Sequence, residues 1–542
     1  MVASKIGTNA EMAPSAPGPP SSNTADPERP RGPESDSVSL GSAARAAPLG
    51  WLAAGTLVFL NSAAVLVIEI VATRLLAPYV GVTLQTYTAI ISVVLAGISL
   101  GSWFGGRFAD LLNPRKTLGP LLIVGGVLAI CMLPLTRVAG RLAQGQGSAM
   151  ILVLALISFF WPAAVLSAIN PTVIKLQLER LDHAGKVVGR LSAVGTAGAI
   201  FGTVMTGFVL LARLPSATIV IALGVALILG GTALASRLNA WRGPVLTGGA
   251  LSLALLLGAL AASERSPCQK ESAYFCANVQ ADPPGSPSGR LLLLDGLRQS
   301  FDDLADPTHL SFSYTRRIAD LLGSLRPPGL PVNALWIGGG GFTLPRYLAA
   351  TRPGSSSVVL ELDANVVRVA RQRLGLMTGP RLRVRVGDAR VLLPREPSHA
   401  YDVVIGDAYG GRAVPWHLTT REFISDIRRR LRPDGVYVMN CIDAGPLRFV
   451  RAEAATLGSV FSHVALEARF GAHAVSVGEN FVFFASDHLL PEQALAAAAR
   501  RRRDGESLYD GPAVAAFAAH ADVLRDDFAP VDQLVTQSTG VT

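Results

Sequence analysis

The chain has 542 residues, of which 50% are hydrophobic and only 16% are charged, and its formal net charge is +9. An ordinary soluble domain is about 25% charged, so this composition and a mean hydropathy of +0.40 exclude a wholly soluble protein and indicate a membrane protein. Much of the positive charge falls in short loops and in the arginine run 500–503, so the net charge does not predict nucleic-acid binding.

Residues 1–49 are rich in Pro, Ser, Gly and Ala and are predicted to form a disordered tail, because such a composition cannot bury a hydrophobic core. Residues 50–263 are predicted to form a transmembrane domain of about seven helices. Apolar runs near the spanning length of about 20 residues alternate there with short charged, Pro-bearing or Gly-bearing breaks. The predicted spans are 52–73, 86–106, 118–136, 149–169, 188–212, 216–235 and 244–262.

Two series of small residues predict close packing between these helices. One is Gly97, Gly101 and Gly105, and the other is Gly198 with Gly202. Glycines spaced four residues apart lie on one helix face and let two backbones approach. We therefore interpret both series as packing contacts and not as binding sites.

Glu69 is an ionisable residue inside the first predicted span, where a charge is costly and often functional. One interpretation is a proton or substrate role. The other is that Glu69 lies near the end of its helix and pairs with Arg74 at the membrane interface.

The short loops predict the orientation of the spans, because cytoplasmic loops are enriched in Lys and Arg. The second, fourth and sixth loops hold most of the basic residues: Arg107, Arg115, Lys116, Lys175, Arg180, Lys186, Arg190, Arg237 and Arg242. The first, third and fifth hold Arg74, Arg137, Arg141 and Arg213. Seven spans then place the N-terminus inside and the chain after residue 262 outside the cell membrane.

A globular region follows. Residues 264–330, with "GRLLLLDGLRQSFDD", are predicted to be a small β-rich lead-in. In residues 331–490 the strands "ALWIGGGG", "SVVLELD", "LRVRVGDAR" and "YDVVIGD" alternate with helical patterns, which predicts a mostly parallel, doubly wound sheet. The predicted fold is thus a multi-pass α-helical membrane domain followed by an α/β Rossmann-like domain of the class I methyltransferase type, with residues 491–542 as a C-terminal tail.

Three successive predicted strands end in an acid: Glu361, Asp388 and Asp407. The carboxyl ends of parallel strands meet at one edge of the sheet, where ligands bind. The Gly run 338–341 lets a ligand approach the first strand-to-helix turn, and an acid about 20 residues later can accept hydrogen bonds from ribose hydroxyls, which fits Glu361. The alternative for Asp407 is that it only caps a turn before Gly410.

The stretch "IGGGG…VLELD…VGDAR…YDVVIGDAYGG…LRPDG" resembles the spermidine synthase superfamily, and "ESAY…LLLLDGLRQS" resembles that family's small β domain. The resemblance covers about residues 270–490. The preceding spans, with "EIVATRLLAPYVG" in the first, make the whole chain similar to the bacterial fused membrane/spermidine synthase group.

The resemblance implies transfer of an aminopropyl group from decarboxylated S-adenosylmethionine, or a related adenosyl compound, to a small-molecule amine. It implies that Asp407 faces the attacking amine as the catalytic residue. It also implies a nucleoside site: Gly338, Gly339 and Gly340 under the nucleoside, Glu361 on the ribose, and Asp388 with Ala389 on the adenine.

The chain departs from the family pattern on the side that receives the diamine. Gly410 stands where the family has the second acid of a D-x-x-D pattern, and Gly341 stands where the glycine motif has an Asp. The family's Tyr-His-Glu-like segment corresponds to Tyr314, Thr315 and Arg316. The resemblance therefore implies a better kept nucleoside site and a degenerate diamine site.

Other polar residues are candidates for contacts with the acceptor. His417 and Glu422 follow the Asp407 loop, and either could face the acceptor, although His417 could equally be a satisfied loop histidine. An acid-rich segment either attracts a cation or is a solvated turn; it holds Asp302, Asp303, Asp306 and His309. We predict no metal, because no paired Cys/His spacing appears.

Two of the four cysteines bear on topology. Cys268 and Cys276 are close enough in sequence to form a disulfide at the start of the globular region, which would require an oxidising compartment. This agrees with the loop charges. Cys131 and Cys441 lie in a predicted span and a predicted strand, where a Cys is usually a small buried apolar residue.

The sequence therefore predicts a multi-pass protein of the cell membrane that carries a spermidine synthase-like transferase domain, with an extracytoplasmic location of that domain as its topological consequence. The alternative is a transport or sensing protein whose domain binds a nucleoside or a polyamine without turnover. A structural component with a decayed site is disfavoured, because the three strand-end acids are kept.

Overall fold

The computed structural model describes residues 49–81, 84–143, 148–178, 184–238, 249, 256, 268–281, 287–408, 414–470 and 478–535. The predicted tail, apart from residue 49, and the predicted seventh span, apart from residues 249 and 256, lie outside these ranges.

The N-terminal half is helical. Its helices are α1 Trp51–Val80, α2 Leu84–Leu111, α3 Pro114–Ala143, α4 Ser148–Ser167, α5 Ile169–Gln177, α6 Ala184–Met205, α7 Leu211–Arg213 and α8 Ser216–Arg237. Helices α4 and α5 form one long segment, and a π-helical turn joins α6 to α7. Within the described ranges, six helical segments are long and apolar enough to cross a membrane, and they coincide with the first six predicted spans.

The glycine series pack as the sequence predicts. A Cβ at Gly101 of α2 would lie 2.0 Å from the carbonyl oxygen of Ala164 in α4. A Cβ at Gly198 of α6 would lie 2.1 Å from the carbonyl oxygen of Phe59 in α1. Both helix pairs are thus in backbone contact at positions that no larger residue can occupy.

Arg74 does not pair with Glu69. Its guanidinium donates to the carbonyl oxygens of Tyr274, at 2.6 Å, and Ser272, at 2.8 Å, in the globular region. The interpretation of Glu69 as an interfacial partner of Arg74 is therefore wrong, because carbonyl groups 198 and 200 residues further along the chain bind the guanidinium instead.

The globular region lies against one end of the helical domain. The backbone N–H of Ser216, at the start of α8, donates to the Glu271 carboxylate at 3.2 Å. Helix α8 then runs 22 residues to Arg237, which is about 33 Å at 1.5 Å per residue. Arg237 and Glu271 therefore lie at opposite ends of α8.

The lead-in is a four-stranded antiparallel sheet in the order β1-β2-β3-β4. Its strands are β1 Lys270–Glu271, β2 Cys276–Ala281, β3 Gly289–Leu294 and β4 Leu297–Asp303. Asp295 and Gly296 connect β3 to β4 with φ angles of 49° and 79°. A two-residue turn with both residues at positive φ matches the twist of a hairpin, and Asp-Gly is a preferred pair for it.

The second sheet has eight strands in the order β12-β10-β11-β9-β8-β5-β6-β7. The strands are β5 Asn333–Ile337, β6 Ser356–Glu361, β7 Leu382–Val386, β8 Tyr401–Gly406, β9 Leu431–Asp443, β10 His463–Ala468, β11 Glu479–Ser486 and β12 Ser507–Tyr509. Strands β5 to β9 are parallel, and β10, β11 and β12 are added antiparallel. The order reverses between β5 and β8, which is where doubly wound sheets bind ligands.

Helices cover both faces of this sheet. They are α9 Ser313–Ser324, α10 Thr343–Thr351, α11 Ala364–Arg373, α12 Ala389–Leu392, α13 Arg421–Arg430, α14 Arg448–Gly458, α15 Glu492–Arg502, α16 Gly511–Phe517 and α17 Val531–Leu534. Buried side chains of α9, α10, α11 and α15 form one core, and those of α12, α13, α14 and α16 form the other. The predicted α/β Rossmann-like domain behind a helical domain is confirmed.

Candidate functional site

The glycine turn after β5 lies against the end of β8. Gly338 has a φ of +91°, and its N–H donates to the Leu360 carbonyl oxygen at 2.9 Å. A Cβ at this position would lie 2.3 Å from the carbonyl oxygen of Asp407. Glycine is required here both for the backbone conformation and for this approach.

Glu361, at the end of β6, is bound to the glycine turn. Its side chain is only 5% exposed. Its carboxylate oxygens accept hydrogen bonds from the N–H groups of Gly339, at 2.8 Å, and Asp363, at 2.9 Å. Burial raises the pKa of the Glu361 carboxyl, and these backbone hydrogen bonds oppose the rise.

Asp407 follows β8 directly, at the point where the strand order reverses. Its carboxylate accepts a hydrogen bond from the Asn440 amide of β9 at 2.9 Å and another from the Tyr314 hydroxyl of α9. Burial raises the pKa of the Asp407 carboxyl, and the two hydrogen bonds oppose the rise. Burial and the neighbouring Asp407 charge hold the pKa of Tyr314 well above its ordinary value. A carboxyl with a raised pKa beside a neutral phenol suits a proton acceptor.

Asp388 follows β7, the strand that pairs with β6, and so lies beside Glu361 at the same edge of the sheet. The Gly387 N–H donates to the Glu361 carbonyl oxygen at 2.9 Å, which brings the start of α12 beside Glu361. Asp388 caps α12 by accepting from the Arg390 N–H at 2.7 Å, and Ala389 is the first, buried residue of that helix. All six predicted nucleoside residues and Asp407 are thus at one sheet edge.

The structure corrects the solvated-turn interpretation of Asp302. This residue of β4 is fully buried, and its carboxylate accepts hydrogen bonds from the Thr343 hydroxyl, at 2.9 Å, and Arg346, at 3.2 Å. Burial raises the pKa of Asp302 to about 7, although Thr343 and Arg346 oppose the rise. A Cβ at Gly341 would lie 2.0 Å from Asp302 Oδ2. The lead-in therefore places a carboxylate directly in front of Gly341.

The other acids of that segment have local structural contacts. Asp303 is buried and accepts from the Ser288 hydroxyl at 2.6 Å. Asp306 accepts from the Thr308 N–H at 2.9 Å and caps a turn. Within the described ranges, no group of three or more His, Cys, Asp or Glu side chains is arranged to hold a metal ion.

His417 and Glu422 have partners outside the Asp407 contacts. His417 Nε2 lies 3.2 Å from Asp388 Oδ2. Glu422 accepts from the Asp526 N–H at 3.0 Å and so holds the C-terminal segment. The loop 409–413, with Gly410, lies outside the described residues.

Sequence reasoning missed Asn440 as a partner of Asp407. Its only signal is position, because it lies on β9, the strand that pairs with β8. Beside it, a small pocket of about 20 Å³ at the end of β8 is lined mainly by apolar residues, among them Ile337, Val414 and Met439.

Several known proteins are similar to parts of this chain. A family model described as spermine/spermidine synthase domain matches residues 311–447. A polyamine aminopropyltransferase of Vibrio vulnificus is 35% identical over 153 residues, which are 28% of this chain and 49% of the relative. A second, of Chromobacterium violaceum, is 32% identical over 26% of this chain and 53% of the relative. The chain thus spans about half the length of these two relatives.

Polyamine aminopropyltransferase 2 of Streptomyces coelicolor is 27% identical over 422 residues, which are 73% of this chain and 75% of the relative. This match is longer than the part of the chain after residue 263, so it extends into the helical half. A solved structure of a probable spermidine synthase from Corynebacterium glutamicum has 29% identity and a TM-score of 0.44, and covers 47% of this chain and 95% of that chain. The globular domain of this chain is thus similar to the spermidine synthase superfamily.

Proposed function

We propose that this protein transfers an aminopropyl group from decarboxylated S-adenosylmethionine to a polyamine, with Asp407 as the general base. The observation that carries the proposal is the placement of the Asp407 carboxylate at the strand-order reversal, 2.9 Å from Asn440 and beside Tyr314. An amine must lose a proton to become a nucleophile, and a carboxylate of raised pKa can bind the ammonium form and accept that proton.

The transfer forms one C–N bond and breaks one C–S bond. The amine nitrogen attacks the aminopropyl carbon attached to the sulfonium, and the electron pair of the C–S bond returns to sulfur. The products are an aminopropylated amine and methylthioadenosine, and the proton of the amine passes to the Asp407 carboxylate. The low polarity that raises the pKa of Asp407 also favours loss of the sulfonium charge.

The donor is proposed to lie along the sheet edge. Gly338 to Gly340 would pass under the nucleoside, Glu361 would accept from the ribose hydroxyls, and Asp388 with Ala389 would contact the adenine. The Glu361 oxygens already accept backbone N–H groups, among them those of Gly339 and Asp363, and a carboxylate has about four lone-pair sites, so capacity remains for a hydroxyl. No metal is needed for this chemistry.

We propose that the acceptor site differs from the family pattern but still binds an amine. The family's second loop acid is replaced by Gly410, and its glycine-motif Asp is replaced by Gly341. Asp302 brings a carboxylate to the space in front of Gly341, and its charge also acts on Tyr314. Asp302 and Asp407 would then flank the Tyr314 hydroxyl as two acids for one cationic amine chain.

We propose that the helical domain spans the cell membrane seven times and that the transferase domain faces outward. The domain contacts Arg74 near the end of α1 and Ser216 at the start of α8, which is the end that carries the less basic loops. Arg237 and Glu271 lie at opposite ends of α8, so one further crossing between them fits the predicted span 244–262. The disulfide between Cys268 and Cys276 supports an oxidising side. The donor and acceptor substrates would then reach the site from outside the cell membrane.

The test is release of methylthioadenosine by the full-length protein in lipid nanodiscs, with decarboxylated S-adenosylmethionine and putrescine or spermidine. We expect release that depends on the amine, and we expect Asp407→Asn to lower it by about 10²-fold or more, the scale of general-base catalysis. Asp522→Asn is the matched control, because Asp522 is exposed and far in sequence from the site residues. Equal rates in wild type and Asp407→Asn would refute the role of Asp407.

A further inference from the structure

A disulfide-closed loop, Cys268–Cys276, joins the globular domain to the helical domain. The Arg74 guanidinium of α1 donates to the carbonyl oxygens of Ser272, at 2.8 Å, and Tyr274, at 2.6 Å. The Glu271 carboxylate accepts from both the N–H and the hydroxyl of Ser216 at the start of α8. Two helix ends thus hold a loop of nine residues whose own ends are cross-linked.

The opposite side of this loop contacts the nucleoside site. The Ser272 hydroxyl donates to the Asp363 carboxylate, a contact that is fully buried. The Asp363 N–H donates to Glu361 at 2.9 Å, and the other Glu361 oxygen accepts from Gly339 at 2.8 Å. A continuous series of hydrogen bonds therefore leads from α1 to Glu361, the acid that the proposed function assigns to the ribose.

Ser272 is the junction of this series. Its hydroxyl oxygen also accepts from the N–H groups of Tyr274, at 3.1 Å, and Phe275, at 2.9 Å. The side chain therefore fixes the turn of the loop and the Asp363 carboxylate at the same time. The other oxygen of Asp363 accepts from the Asn365 N–H at 2.8 Å and caps α11. Asp363 thus has little freedom once Ser272 is in place.

The Arg74 charge balances a group of acids near Ser272. Asp295 is buried in the β3–β4 turn, and the negative charges of Glu271 and Asp363 act on it from nearby. The positive charge of Arg74 offsets them. A buried carboxylate that loses its compensating cation is costly, so the three acids favour the docked position of the domain.

A steric contact fixes the same orientation. Gly296, with a φ of +79°, lies so close to the end of α1 that a Cβ would be 2.9 Å from the carbonyl oxygen of Pro78. The β3–β4 turn therefore rests on α1 beside Arg74. The domain is held at this end of α1 by two contacts, one polar and one steric.

We propose that Ser272 is a positioning residue for donor binding, through which α1 and Arg74 set the position of Asp363 and Glu361. This inference rests on the proposed function, because it assigns Glu361 to the ribose. Nucleoside binding would be strong only when the domain is docked on the helices. The amine side, at Asp407 after β8 and Asn440 on β9, is not part of this series of hydrogen bonds and would respond less.

The experiment measures methylthioadenosine binding by calorimetry and, separately, the KM for donor and for amine, with full-length protein in nanodiscs. We expect Ser272→Ala and Arg74→Gln each to weaken methylthioadenosine binding and raise the donor KM about tenfold, the value of one hydrogen bond to a charged group. The amine KM should change less than twofold. Ser272→Thr, which keeps the hydroxyl, should restore donor binding.

Arg213→Gln is the matched control, because Arg213 lies at the same end of the helical domain and is exposed. Thermal unfolding of each variant reports whether it folds. Unchanged methylthioadenosine affinity in both Ser272→Ala and Arg74→Gln would overturn the inference, and so would an equal rise of both KM values. Failure of the wild-type protein to bind methylthioadenosine would overturn the proposed function, and with it the inference.

Discussion

The Asp302 carboxylate occupies the space into which a side chain at Gly341 would point, with Oδ2 only 2.0 Å from the position of a Cβ there. Asp302 belongs to the small β sheet, whereas Gly341 belongs to the glycine turn of the large sheet. The residue type at position 341 and the residue type at position 302 therefore constrain each other, although the two positions are 39 residues apart in the sequence.

This dependence predicts a compensating pair of substitutions. Gly341→Asp alone should destabilise the protein by about 1–3 kcal/mol through overpacking, and Asp302→Gly alone should destabilise it by breaking the contacts with Thr343 and Arg346. The double variant should recover part of the loss, because one carboxylate again occupies the space. Thermal unfolding and transfer rates measure the coupling, for which about 0.5–3 kcal/mol is usual between contacting residues. Strictly additive losses would contradict the prediction.

Asp302 also predicts how stability depends on pH. Its pKa is about 7 in the folded protein and 3.8 when unperturbed, so the folded state holds the proton more tightly. Its contribution to the free energy of unfolding is largest below about pH 4 and is lost as the pH rises toward 7. Asp302→Asn removes this titration while keeping an acceptor for Thr343.

The stability of Asp302→Asn relative to wild type should therefore increase between pH 4 and pH 8, by an amount on the order of a few kcal/mol. Thermal unfolding over this range measures the difference, and Asp522→Asn serves as the control. A difference between variant and wild type that stays constant across the range would show that Asp302 does not titrate there.

The geometry of the glycine turn predicts that one added methyl group at Gly338 destabilises the protein. Gly338→Ala places a Cβ 2.3 Å from the Asp407 carbonyl oxygen in a backbone conformation of φ +91°, and strain of this kind costs about 1–3 kcal/mol. We expect a lower unfolding temperature and weaker methylthioadenosine binding. The matched control is Gly323→Ala in α9, where a Cβ meets nothing within 4 Å; its stability should be unchanged or higher by up to about 1 kcal/mol. Equal effects of the two substitutions would be inconsistent with a strained turn.

The outward orientation predicts the reactivity of Cys268 and Cys276, which form a disulfide. In intact cells that produce a variant with Cys131→Ser and Cys441→Ser, an impermeant thiol reagent should label the protein only after an impermeant reductant is added. Labelling that appears only after the cells are lysed would place the transferase domain on the cytoplasmic side and refute the proposed topology.

The parts of the fold that follow from local pattern were predictable. Apolar runs of spanning length predict the six long helices, and strand-like runs that end in Glu361, Asp388 and Asp407 predict the sheet edge. The antiparallel additions β10 to β12 were not predicted, since nothing in a strand's own residues specifies which edge it joins. In the predicted C-terminal tail, β12 pairs with β10.

The polar contacts of the site depend on distant pairs and were less predictable. The Asn440 contact with Asp407 joins residues 33 positions apart, and the Arg74 contact with Ser272 joins residues 198 positions apart. The residue pattern within a single helix or strand predicts neither contact. One interpretation paired Arg74 with Glu69 because that partner is near in sequence, whereas folding brings the Ser272 and Tyr274 carbonyl oxygens within hydrogen-bond distance.

The measurement that tests the central claim most directly is mass spectrometry of the amine after incubation with full-length protein and decarboxylated S-adenosylmethionine. The proposed function predicts an amine heavier by one aminopropyl unit, formed in equal amount to methylthioadenosine by wild type and largely absent with Asp407→Asn. The contradicting result is that the wild-type protein binds methylthioadenosine but forms no aminopropylated amine from any polyamine offered. The protein would then bind nucleosides without transferring the group, and the central claim would be wrong.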